Sequence, residues 1–193
     1  MTIHEPMTLA TDYMLTIAAA VFAAMLWRSN RMWALAFVFT ALGSFLGGTY
    51  HGLLQEPWLW KLTVLAIGIA SFFLLAGSGR ALAVLATIKL VAYSTWVIFF
   101  NDEFEWVIAD YGITLLLVAG AAIVRPDEST KWILGSIVVS VAGAIVQQQG
   151  IAPHRHFNHN DLYHVIQLVA LWLLYRGGVA MTSATARPTI RPT

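Results

Sequence analysis

Seven apolar stretches, each about as long as a bilayer is thick, constrain this chain more than anything else in it. A hydrocarbon core of about 30 Å takes about 20 residues of helix. Runs of that order lie at about 10–27, 32–53, 58–77, 80–100, 105–124, 130–148 and 161–180. Short breaks separate them, among them Arg28-Ser-Asn-Arg31, Gln55-Glu-Pro57, Gly77-Ser-Gly-Arg80 and Arg125-Pro-Asp-Glu128. In lipid only helices and closed barrels satisfy their own backbone. Apolar residues here run continuously rather than alternating, which excludes a barrel. The expected fold is all-α, a polytopic seven-transmembrane-helix bundle forming a single domain over 1–181, with a disordered cytoplasmic tail over 182–193.

Composition agrees. Only 11% of the 193 residues are charged, against roughly a quarter in soluble domains. No cysteine is present, which removes disulfides, thiolate zinc sites and cysteine nucleophiles. The opening stretch is not read as a secretory signal, because residues 1–12 hold His4, Glu5 and Asp12 but no Lys or Arg. A net charge of +1 gives no sign of a nucleic-acid partner.

Lys and Arg set the expected orientation. With the N-terminus outside, the inner loops and tail carry Arg28, Arg31, Arg80, Arg125, Lys131, Arg176, Arg187 and Arg191, against Lys61 and Arg155 outside. Lys89 lies within the fourth run. This N-out, C-in reading implies a plasma or bacterial inner membrane. It also gathers His51, Asp102, Glu103, Glu105, Asp110 and the segment HRHFNHNDLYHVIQ (residues 154–167) at the outer rim.

Two parts of that rim carry candidate chemistry. On the second run, GSFLGGTYHG (43–52) puts Ser44 and His51 two turns apart on one line, and Gly43 and Gly47 leave a bare face on which a neighbour can approach or a cavity open. On the seventh, Asp161 and His164 are three apart and share a face, and His164 must sit in or at the hydrocarbon, where an ionisable group points to function. His154 and His156 read as loop residues. His159, five before His164, joins its face only if the helix starts after it. Zinc suits neutral imidazoles and uses three protein ligands plus a water in catalytic sites. His51 and His164 with one of His159, Asp161 or Asn160 supply such a set.

These features resemble the CREST superfamily, which includes alkaline ceramidases and the progestin and adipoQ receptors. The resemblance rests on seven helices, a Ser…His on the second helix, and Asn160-Asp-Leu-Tyr-His164-Val, which is similar to the family's HxxFHV motif. It implies zinc held by His51 and His164, with Ser44 as the nearby serine. This chain departs from the pattern in having Asn160 where the family's first helix 7 histidine stands. Ser44 also lies seven residues before His51 rather than four, and PWLWKLTV lacks the family's aspartate on helix 3.

The expected function is a zinc-dependent hydrolase of lipid amides working among membrane lipids. Asp161 or Asp110 would act as general base, and Ser44 would hydrogen-bond the developing oxyanion. The alternative is a non-enzymatic seven-helix receptor or transporter with a degenerate polar site. A bis-histidine haem protein through His51 and His164 is a third reading. A retinal photoreceptor is disfavoured, because the seventh helix carries no lysine.

Overall fold

A computed structural model describes residues 3–185 of the chain. It is helical throughout this range: α1 (Pro6–Leu26), α2 (Arg31–Gly52), α3 (Pro57–Gly77), α4 (Arg80–Phe99), α5 (Phe104–Val124), α6 (Thr130–Gln148) and α7 (His159–Thr185). Each is long and apolar enough to cross a membrane. The seven-helix reading holds, and the protein is an integral, multi-pass membrane protein by the length and composition of its helices. Of the tail expected to be disordered from residue 182, the first four residues continue α7. Residues 186–193 lie outside the described residues.

Local signals explain the ends. Pro6 and Pro57 open α1 and α3, where a missing backbone N–H costs nothing. Asn30 caps α2 by accepting from the Trp33 N–H. Just beyond α6, Gly150 takes φ 62°, the left-handed turn that glycine adopts at helix C-termini.

The helices alternate in direction. One rim gathers the starts of α1, α3, α5 and α7 with the ends of α2, α4 and α6, and holds the histidines. The opposite rim holds the arginines of the α1–α2, α3–α4 and α5–α6 connections. Packing runs α1–α2–α3–α5–α6–α7 and back to α1, a closed ring of six, while α4 leans on α3 from outside. Near the arginine rim the ring is sealed by Trp33, fully buried between Gly77 of α3 and Gly178 of α7. A Cβ on either glycine would stand 2.7 or 2.9 Å from its ring, so both positions are matched to the indole. Outward faces are apolar, with Val84, Ile88 and Phe99 of α4 more than half exposed, as suits side chains that meet lipid.

Candidate functional site: a cavity walled by six helices

Inside the ring lies a cavity of about 180 Å³. All six ring helices line it and α4 does not. Its wall is mostly apolar, with Ile67, Ile108, Val141 and Leu171 among the lining residues. Polar groups enter from Asp12, Ser44, Tyr163, His164 and Gln167.

The polar end is built where α1 meets α7. These helices run the same way, and two hydrogen bonds join them like rungs: the Thr8 hydroxyl donates to Asp161 Oδ1 at 2.8 Å, and Thr11 Oγ1 lies 2.9 Å from His164 Nδ1. Each rung links residues 153 apart in sequence. Three positions on along each helix puts the next pair on the same face, so the ladder follows from helical spacing once the two helices are parallel.

Beside the second rung sits the ion-pair geometry of the site, Asp12 Oδ1 at 3.4 Å from His164 Nε2. Both residues are buried. The Thr11 hydroxyl also reaches the carbonyls of Met7 and Thr8. If it donates there, as threonines in helices do, its oxygen accepts from Nδ1–H and leaves the Nε2 lone pair facing Asp12. One proton between Nε2 and Oδ1 then satisfies both atoms. Gly47 and Gly48 make room for this carboxylate. A Cβ on Gly47 would lie 3.7 Å from Asp12 Oδ2, and one on Gly48 2.8 Å from Asp12 Cβ. The bare face of α2 therefore has two uses, since Gly43, Ser44 and Gly47 line the cavity while Gly47-Gly48 seats Asp12.

The candidates from sequence are sorted by this geometry. His164 and Ser44 are in the cavity wall. His51 is not among its lining residues. It lies at the rim, Nδ1 3.4 Å from Glu5 Oε1, with its ring edge-on to Tyr50 and Trp60. The two histidines thus face different carboxylates. Asp161 is engaged on both oxygens: Oδ1 accepts from Thr8, and Oδ2 accepts from the Asn158 N–H at 2.7 Å. Asn158 Oδ1 in turn accepts from the Asn160 and Asp161 N–H groups. This is a reciprocal capping box, and it starts α7 at His159 rather than near Asp161. His159 therefore lies within the helix, five residues from His164 and on another face. Asn160 accepts from Gln147 at 2.8 Å. His154 and His156 are exposed in the α6–α7 connection.

Among the described residues, no group of three or more His, Asp or Glu side chains is placed to hold a metal ion. Of the residues expected to hold zinc, His164 faces Asp12, His51 faces Glu5, Asp161 caps α7 and His159 lies on another face of that helix.

Asp110 lies apart from the cavity. It forms a buried ion pair with Lys89 of α4 and is not in the cavity wall. Lys89 Nζ also donates to Ser71 Oγ at 2.7 Å, and Ser71 lies 2.8 Å from Thr114 Oγ1. This network pins α4 to α3 and α5.

Sequence reasoning missed Asp12. The signal was present, a carboxylate seven positions into the first apolar helix, where charge is costly without a partner. Its partner sits on α7, beyond the reach of spacing within one helix.

Residues 7–183 match a family of unknown function, DUF6962. No curated protein and no solved structure matches the chain.

Proposed function

The chain belongs to DUF6962, a family of unknown function, and from its own geometry we propose that it is a membrane hydrolase of lipid amides. The observation that carries this reading is an acid–base pair, Asp12 and His164, in the wall of a mostly apolar cavity. Small-molecule sites commonly combine an apolar lining with a few convergent polar groups. Size narrows the ligand. An apolar void of about 150 Å³ accommodates benzene, so 180 Å³ admits a segment of one acyl chain rather than two. The chain would lie against Ile67, Ile108 and Leu171, with the amide at Asp12 and His164.

The Asp12–His164 pair takes a proton from water as the water oxygen attacks the amide carbonyl. It returns that proton to the amine nitrogen as the C–N bond breaks, releasing a fatty acid and an amine. Ser44, which makes no hydrogen bond among the described residues, is available to donate to the oxyanion. The reading rests on Asp12 and His164 themselves, and no step is assigned to a metal. We read the histidine rim as the non-cytoplasmic face of a plasma or bacterial inner membrane, from the bias of Lys and Arg toward the opposite rim.

A receptor-like or transport role without turnover is the second reading. One observation favours it: both ring nitrogens of His164 already face side-chain partners, an arrangement suited to holding a ligand as well as to reacting with it. Purified protein given long-chain acyl amides, ceramides first, separates the two. Hydrolysis predicts release of free fatty acid, lowered by roughly 10²–10⁴-fold in His164→Ala and Asp12→Asn. Lipid that stays bound and uncut, at a background rate the variants do not change, would leave the receptor reading in its place.

A further inference from the structure

Two lysines of the described residues are taken up in ion pairs. Lys61 pairs with Asp102 at 3.6 Å, and Lys89 pairs with Asp110. At the arginine rim, none of the ion pairs among the described residues includes Lys131 or Arg176. Instead both converge on one indole. The Arg176 guanidinium stacks 4.3 Å from the Trp132 ring centre and 5.6 Å from that of Trp172, while Lys131 Nζ lies 5.4 Å from Trp132. The fold holds them there. Gly177 brings α7 against Ile133 of α6, where an added Cβ would stand 3.0 Å from the isoleucine Cγ1. The neighbouring Asp127 is taken up by the Ser129 N–H and hydroxyl.

Two like charges held on one ring repel, and the ring alone offsets little of it, since an exposed cation–π contact contributes about 0.5–1 kcal/mol. Among the described residues neither side chain makes a hydrogen bond. A phosphodiester between them would neutralise both and accept from both. Below Arg176 the same face of α7 carries Trp172, Val169 and Val165, spaced four, three and four residues apart and each at least 40% exposed. Cation, tryptophan and then aliphatic surface is the profile of a phospholipid in order: phosphate, glycerol level, acyl chain.

We propose that Lys131, Arg176, Trp132 and Trp172 form a binding site for the headgroup of one anionic phospholipid, whose acyl chain lies along Trp172, Val169 and Val165. The site is separate from the cavity and does not depend on how the cavity is used. Basic side chains between membrane helices at a leaflet surface select anionic headgroups in this way.

The test is native mass spectrometry of the full chain in detergent, titrated with phosphatidylglycerol or with phosphatidylcholine of the same acyl chains. One phosphatidylglycerol should be retained at concentrations where phosphatidylcholine is not. Lys131→Gln with Arg176→Gln should weaken its retention by about 30-fold, the combined effect of two cations near an anionic surface, with helical content by circular dichroism unchanged. Inorganic phosphate serves as a second probe and should not displace the lipid. Equal retention of the two lipids, wild-type retention by the double variant, or displacement by inorganic phosphate would each overturn the proposal. Should the double variant not fold, fluorescence quenching by dibrominated phosphatidylglycerol takes its place, and it must fall in Trp172→Phe relative to wild type for the site to stand.

Discussion

Single buried charges decide most of what this chain can do. A side chain that ionises at the centre of a membrane helix costs about 2.5–3.5 kcal/mol by insertion measurements, and this protein carries several ionisable ones. Each finds a partner on another helix: Asp12 with His164 and Lys89 with Asp110. Breaking one side of the second pair strands the other charge. Lys89→Met or Asp110→Leu alone should therefore lower stability in detergent by about 3–5 kcal/mol, whereas the two combined should recover most of the loss. Additive losses in that double-mutant cycle would show that the pair does not hold α4 in place. The sequence made both residues visible as charges inside apolar runs, yet not as partners. They are 21 positions apart on different helices, and helical spacing relates only residues on one helix. The same limit hid the partners of the two candidate bases, Lys89 for Asp110 and the Asn158 N–H for Asp161.

At the level of helices, hydropathy located all seven and placed most of their ends closely. The clear differences are the start of α1, at Pro6 rather than about 10, and both ends of α7, which runs His159–Thr185 rather than about 161–180. Both first turns are polar because they face each other, with Thr8 against Asp161, so a hydropathy window discards the turns that build the site. Glycines set how closely the helices approach. Tyr93 of α4 rests on Gly68 of α3, where an added Cβ would run into its ring, and its hydroxyl donates to the Val64 carbonyl. Gly112 has nothing within 4 Å of an added Cβ. Gly68→Ala should consequently lower the unfolding midpoint by overpacking, at a cost of about 1–3 kcal/mol, while Gly112→Ala leaves it within about 0.5 kcal/mol. Equal effects in thermal melts would mean that the α3–α4 seam is looser than these contacts require.

On the scale of the whole molecule, a closed ring of six helices surrounds the cavity and α4 stands outside it. This arrangement was not legible in the sequence, since seven helices with short loops are compatible with many orders around a bundle. The clustering of histidines at one rim and arginines at the other was legible, because alternating helices send each loop to a known side. That asymmetry predicts sidedness. A reporter fused after Thr193 should read cytoplasmic and one inserted at residue 103 external, and the reverse pattern would put the histidine rim in the cytosol.

The central claim is that the cavity holds one lipid chain with its polar linkage at Asp12 and His164. Photolabelling tests it most directly, using a long-chain acyl amide with a diazirine at mid-chain and the full-length protein in lipid nanodiscs, with adducts located by peptide mass spectrometry. Adducts are expected on the cavity residues Ile67, Ile108 and Leu171, and they should be lost in Gly112→Phe, which places a ring in the open space of the cavity. Adducts confined to the lipid-facing Val84, Ile88 and Phe99, and unchanged by Gly112→Phe, would contradict the claim.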